Sequence, residues 1–344
     1  MRERVQFFDL LRCVAAVAVI AIHVLAPYRH VLAPYRHELG VIPFDQWVTA
    51  VGINGISRWA VPVFILITGA LMLSDTRPFD LPYYARRRLG KVLIPFLFWS
   101  LFYAFLSGLS ASGFDGSKVT EVLSNSPEHA TYYHLGFFYY FIPLYFVIPM
   151  FQWLVRQQRQ DILYLFTALW LFTTVLYLAG IDGPWSYELW LYSGYLPLGY
   201  LLFSKVPNQR SVVIGAVLLG GMALAATVIM VVSHSLASGE YTVGRWLSYK
   251  TINVVLAASM VFVLCRYVGE RLSAQWQKWV ALISRHSLGI YLLHPIFLWP
   301  MKELGWYQGH PAWVIPLWVV LSGAGALALS YLFSLSAKTR WLLP

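Results

Sequence analysis

The chain has 344 residues, a formal net charge of +10, 59% hydrophobic residues and only 12% charged ones. Soluble domains carry about a quarter charged residues, so the composition excludes a soluble enzyme and points to a membrane protein. Cys13 and Cys265 both fall in apolar segments, which leaves no disulfide framework and no metal-ligand spacing.

Hydropathy predicts about ten spans, near 5–27, 46–73, 89–110, 135–153, 161–180, 186–204, 211–232, 248–267, 277–299 and 313–335. The fold class is therefore all-α, a polytopic membrane helix bundle forming a single domain over residues 1–344. The span at 248–267 is the weakest, because Lys250 and Asn253 open it. With the N-terminus in the cytoplasm, the inner segments collect Arg77, Arg86, Arg87, Arg88, Lys91, Arg156, Arg159, Arg210, Arg266 and Arg271, among others. The outer ones hold Arg29, Arg36, Lys118, Arg245 and Lys302. This positive-inside excess places both termini in the cytoplasm and accounts for the basic charge without a nucleic-acid partner.

In the first span, Asp9, Arg12 and His23 form a polar stripe. Eleven helical steps bring His23 to within roughly 20° of Arg12's direction and roughly 16 Å along the axis. Ionisable groups inside a span suggest function; the alternative is a buried Asp9–Arg12 pair with an interfacial histidine. The span is long, carries internal charges and lacks a small-residue cleavage site, so it is not a cleaved signal peptide. His23-Val24-Leu25-Ala26-Pro27-Tyr28-Arg29 is followed at once by an identical seven residues, 30–36, and then His37. Pro27 and Pro34 argue against one continuous helix through this repeat, which reads as a duplication in an outer loop. With the helix taken to end at the prolines, His23 is the choice because it alone stays helical and in phase with Arg12.

Arg58 lies deep in the second span, where it lines a donor cavity or pairs with Asp9. The cluster Arg86, Arg87, Arg88 and Lys91 follows that span. Arg88 and Lys91 share a helical face and suit an anionic ligand, with anchoring to anionic lipid as the alternative. The segment 111–134 has loop chemistry fit for a lid, and His134 opens the fourth span. Glu188 stands at the outer start of the sixth. In the ninth, Ser287, Tyr291 and His294 share a face. For His134, Tyr291 and His294 the alternative role is interfacial packing and hydrogen bonding.

These segments together resemble the acyltransferase-3 family of integral-membrane O-acyltransferases. Asp9-Leu10-Leu11-Arg12 with His23 resembles its opening signature, and Val61-Pro62-Val63-Phe64 with Thr68-Gly69 its V-P-x-F-F-x-x-S-G. Arg88, Lys91 and Pro95 resemble its R-x-x-R/K-x-x-x-P, and His134-Leu135-Gly136-Phe137-Phe138 its H-L-W-F-L. Gly194-Tyr195 through Gly199-Tyr200 resembles its G-Y-x-x-x-G-Y, and Ser287 through His294-Pro295 its S-x-x-I-Y-L-x-H-P. Gly136 departs from a common Trp, Thr68 from Ser and Lys91 from Arg. The chain looks most like the small members without an appended esterase-type domain, such as the enterobacterial common antigen O-acetyltransferase.

The resemblance implies acyl transfer from cytoplasmic acetyl-CoA, or another acyl-CoA such as a succinyl donor, to a hydroxyl of an extracytoplasmic glycan or lipid-linked sugar. No metal is implied. His23 is then the general base or the acylated nucleophile. Arg12 holds a donor phosphate or carbonyl and Asp9 orients Arg12. Arg87, Arg88, Lys91 and Arg58 bind coenzyme A, while His134, His294, Tyr291 and Glu188 bind substrate. The implied setting is multi-pass in a bacterial inner membrane, among membrane lipid, with homo-oligomerisation left open. A glycan transporter is the competing class, but it favours paired broken spans in inverted repeats, and no convincing repeat is present. A non-catalytic scaffold is the third class.

Overall fold

The computed structural model describes residues 6–31 and 42–343, with backbone alone for 26–31. The second heptapeptide's residues beyond Val31, Pro34 and Arg36 among them, lie outside the described residues, as do His37, Arg2 and Arg4. The described chain is helical apart from one two-stranded hairpin, β1 (Leu109–Ser110) antiparallel to β2 (Gly113–Phe114).

In chain order the helices are α1 (Phe7–Val31), α2 (Phe44–Ser57), α3 (Ala60–Leu73), α4 (Leu81–Tyr84), α5 (Gly90–Ser107), α6 (Gly116–Ser124), α7 (Gly136–Arg156), α8 (Gln160–Leu178), α9 (Glu188–Ser193), α10 (Tyr195–Ser204), α11 (Arg210–Ser238), α12 (Ile252–Gly269), α13 (Ala274–Arg285), α14 (Ser287–Glu303) and α15 (Pro311–Ser334). A π-turn at Ala85–Leu89 joins α4 to α5, and a 3-10 turn at Tyr133–Leu135 leads into α7.

Among the described residues eight segments are long and apolar enough to cross a membrane, or nine when α13 and α14, bent by 67°, count as one. The expected ten falls short at 186–204, which is not one helix but the short α9 and α10 broken at Gly194. A Cβ at Gly194 would lie 2.0 Å from the Trp170 ring. Trp170 occupies that space and donates its indole N–H to the Leu191 carbonyl at 2.9 Å. The second predicted span is borne out as one crossing segment, Phe44–Leu73, in which α2 and α3 meet at a turn at Arg58 and Trp59. The eighth begins at Ile252, so Lys250 lies before it and Asn253 lies within, bonded to Thr227 Oγ1 at 2.7 Å and the Trp246 carbonyl at 2.8 Å. α1 runs through Pro27 to Val31, so that proline does not end the helix. It does remove the N–H that would bond the His23 carbonyl four residues back.

α1 is the central helix. In its spanning window 67% of residues are buried, against 22% for α11 and for α15, which turn large apolar side chains outward as a lipid-facing ring requires. Its first half packs into a core with Leu66, Trp170, Tyr195 and Phe262, its second half into another with Trp47, Trp99, Phe138 and Leu292. With no water to expel between helices in lipid, close backbone approach supplies the packing. A Cβ on Gly69 would lie 2.1 Å from the Leu196 carbonyl oxygen, and one on Gly199 2.1 Å from that of Leu66. These glycines therefore serve the α3–α10 contact.

Candidate active site

Three histidines meet at one end of the bundle: His23 on α1, His134 in the 3-10 turn before α7, and His294 on α14. Ring centroids are 4.9 Å apart for His23–His294, 5.8 Å for His134–His294 and 6.4 Å for His23–His134. The local sequence explains the anchoring of His294. Pro295 has no N–H, so the Tyr291 carbonyl loses its helical donor. His294 Nδ1 sits against that carbonyl and lies 3.0 Å from the Ile290 carbonyl. Facing carbonyls, Nδ1 must carry the proton, which leaves the lone pair on Nε2. His23 Nδ1 lies 2.7 Å from that Nε2. In the neutral pair His23 therefore donates from Nδ1 and keeps its lone pair on Nε2. The ring planes are within 5° of parallel, and the centroid separation exceeds the N–N distance by about two ring radii. The rings thus meet edge to edge, not face to face.

Tyrosines hold this cluster. Tyr291 donates its hydroxyl to the His134 carbonyl, and Tyr103 donates to the Leu292 carbonyl. The ring nitrogens of buried His134 make no well-formed hydrogen bond, and the Leu292 carbonyl already taken by Tyr103 lies close by. Tyr133, 42% exposed, presents its ring 5.1 Å from that of His23.

A cavity of about 380 Å³ approaches the cluster from the other side. Arg12, Arg87, Arg88 and Lys91 line it, together with Thr68, Phe137, Phe141, Ser287 and Tyr291. Tyr291 belongs to both regions, because its ring centroid is 6.5 Å from that of His23. The π-turn Ala85–Leu89 widens the helix at the arginine run, a feature often found at functional sites, and puts Arg87 and Arg88 on the same wall as Lys91. Arg86 is exposed and does not line the cavity.

The remaining sequence candidates divide. Asp9 is buried, pairs with Arg12 at 3.5 Å and accepts from the Ser284 hydroxyl at 2.6 Å. Arg58 pairs neither with Asp9 nor with the cavity. Its Nη1 bonds the Tyr249 hydroxyl at 3.3 Å, and its Nε is buried without a hydrogen-bond partner among the described residues. Glu188 does not line the cavity; its exposed carboxylate pairs with Lys250 at 3.2 Å. Sequence reasoning missed Tyr103, which lies in no motif, and Tyr133, which directly precedes the His134 motif without belonging to it, and it missed the loop acid Asp75. Between the spans, Asp75 takes two hydrogen bonds from the Arg77 guanidinium, at 3.0 Å and 2.5 Å, and one from Arg88 at 3.3 Å. That bonding, helped by the Tyr83 hydroxyl, raises the Arg77 pKa above its ordinary value. No group of three or more metal-ligating side chains is arranged to hold an ion among the described residues.

The family model described as "Acyltransferase domain" matches residues 5–335. No curated protein and no solved structure matches the chain. The closer likeness to the common antigen enzyme thus rests on the motifs alone.

Proposed function

The chain belongs to the acyltransferase-3 family of membrane acyltransferases, and from that premise we propose that it moves an acyl group, acetyl in the first instance, from cytoplasmic acyl-coenzyme A to a hydroxyl of a glycan or lipid-linked sugar across a bacterial inner membrane. The observation that carries this reading is the chain of hydrogen bonds from the Ile290 carbonyl through His294 to His23. It leaves one imidazole lone pair, on His23 Nε2, and Tyr291, whose ring centroid is 6.5 Å from that of His23, also lines the cationic cavity.

The diphosphate of the donor binds at Arg87, Arg88 and Lys91, and the apolar chamber of Phe137 and Phe141 takes the flexible arm. Arg12, fixed by Asp9, lies along the arm. His23 Nε2 accepts the proton of the acceptor hydroxyl, and the oxygen attacks the thioester carbonyl. The C–S bond then breaks, and the sulfur leaves with the proton from His23. The imidazolium formed in passing shares its Nδ1 proton with His294, whose orientation the two carbonyls fix. Arg58 supplies positive charge beside the oxyanion. Tyr133, exposed next to His23, offers a stacking face for a sugar ring. Both termini lie in the cytoplasm in this orientation, which puts the cationic cavity inside and the histidines outside.

Proteoliposomes test the whole reading. Labelled acetyl-coenzyme A supplied on the cationic side should label an acceptor on the histidine side and release free coenzyme A where it was added. Movement of intact glycan without thioester cleavage would make the protein a transporter.

A further inference from the structure

A second cavity, of about 240 Å³, adjoins the first, and Met72 and Arg88 line both. It lies between the cytoplasmic ends of α3, α4 and α7, and no sequence motif marked it. Three features give it a ligand's outline. The first is a set of arginines, Arg77, Arg88 and Arg156, gathered on Asp75. Asp75's carboxylate holds the first two, and its backbone carbonyl lies 3.5 Å from Arg156 Nη2. The cavity's other acid, Asp80, is turned to the Tyr83 amide at 2.7 Å, so it does not quench Arg156. The second feature is a pair of orphaned polar atoms. Arg156 Nε and Gln152 Oε1 are buried and have no hydrogen-bond partner among the described residues. Gln152 is 5% exposed, and its Nε2 donates to the Met72 carbonyl at 2.7 Å, which fixes Oε1 as an acceptor awaiting a donor. The third is an aromatic wall, Phe79 and Tyr84, with ring centroids 5.3 Å apart.

An unsatisfied cation, an unsatisfied acceptor and an aromatic wall together match an adenine nucleotide. Its phosphate meets the arginines, its exocyclic amine donates to Gln152 Oε1, and its ring lies on the aromatic side chains. We propose that this cavity holds the 3'-phosphoadenosine end of the donor, with Arg156 reading the 3'-phosphate, an assignment that rests on the donor being a coenzyme A thioester. Arg88, shared by both cavities, then marks where the nucleotide gives way to the arm. A lipid headgroup phosphate would also suit the arginines, but it leaves Gln152 Oε1 and the aromatic wall unused.

The test uses nucleotides without an acyl group, so it reads the pocket apart from the transfer chemistry. Full-length protein in nanodiscs of zwitterionic lipid should bind adenosine 3',5'-bisphosphate at least tenfold more tightly than adenosine 5'-monophosphate. Arg156→Gln should erase that preference. Gln152→Leu should weaken both nucleotides alike and keep it. Inosine 3',5'-bisphosphate, with a carbonyl in place of the amine, should bind the native protein more weakly than the adenosine form, and equally in Gln152→Leu. Native protein indifferent to the 3'-phosphate overturns the assignment, and this arm needs no variant to fold. Absence of nucleotide binding, with melting raised by phosphatidylglycerol in the native protein and not in Arg156→Gln, would make the pocket a lipid site and also overturn it. Tight bisphosphate binding without acetyl transfer would instead keep the pocket and fail the transfer reading. Equal use of acetyl-coenzyme A and its 3'-dephospho form would fail the pocket and keep the chemistry.

Discussion

The histidine cluster and the cationic cavity differ in how their polar groups are satisfied. At the histidine end, His294 is wholly buried, its Nδ1 rests on backbone carbonyls, and tyrosine hydroxyls clamp the surrounding turns. At the other end Arg87 and Lys91 are exposed and Arg88 is only partly covered. Groups held by backbone carbonyls set geometry for a reaction, whereas cations on long, partly exposed stems set affinity for an anion. Substitutions in the first region should therefore reduce turnover, and those in the second should raise the donor's KM.

The largest effect is expected at His23. His23→Ala removes the only imidazole lone pair the dyad leaves open and should lower transfer by about 10²–10⁴-fold, the usual contribution of a positioned base. Donor binding, measured with a non-hydrolysable thioester analogue, should be unchanged. His30→Ala and His37→Ala should be mild, because both follow His23 at a distance, His30 lying seven residues, about 10 Å, further along α1 than the dyad. Normal product formation by the His23 variant would move the chemistry elsewhere.

His294 comes next, as a positioning residue. His294→Ala should lower kcat by about tenfold to a hundredfold with little change in KM, and His294→Gln should recover part of the loss by again accepting from His23 Nδ1. The pH profile of kcat should shift in the alanine variant, because the imidazolium of His23 loses the group that shares its proton. A purely structural role for His294 would lower protein yield and leave the profile of the surviving enzyme in place.

The cationic cavity should respond differently. Arg88→Gln with Lys91→Gln removes two charge-assisted contacts of about 1.5–3 kcal/mol each, discounted here for solvent because both side chains are partly exposed. A rise of about tenfold in the donor KM with kcat nearly unchanged is expected, and Arg86→Gln alone should do little. If kcat fell instead, the arginines would act on the reacting carbonyl, and the separation of the two regions would fail.

Sequence periodicity made the stripe of Asp9, Arg12 and His23 legible, because one helix needs only 3.6 residues per turn to be read. It also put Ser287, Tyr291 and His294 on one face of another helix. What it missed arises between helices. The 2.7 Å contact of His23 with His294 joins residues far apart in the chain, and no single-helix pattern contains it. Arg58 lies in a continuous span, as read, but its partner is Tyr249, 191 residues away in the chain, which no pattern within that span contains. The sixth span looked long enough to cross, yet Gly194 and Gly199 serve a broken helix packed on Trp170 and α3. Asp75, Gln152 and Arg156 sit at helix ends and loops, where hydropathy carries no phase.

The smallest effect is expected at Glu188, and it bears on where the acceptor binds. Its carboxylate is 62% exposed and lies 3.2 Å from Lys250 Nζ, which also sits over the Tyr177 ring at 5.1 Å. An exposed pair of this kind contributes about 0–1 kcal/mol, so Glu188→Gln should change stability by less than about 0.5 kcal/mol and transfer by less than about twofold. Tyr133→Ala removes a face 5.1 Å from His23, and base–ring or sugar–ring stacking of order 1 kcal/mol should appear there as a several-fold rise in acceptor KM. Acceptor KM measured for the two variants side by side separates the alternatives. A rise confined to Tyr133→Ala keeps the acceptor at the histidine cluster, beside the lone pair that must take its proton. A larger rise for Glu188→Gln would extend the acceptor site outward along Lys250 and Tyr177, and the histidine cluster would then be only the inner end of a longer sugar-binding groove.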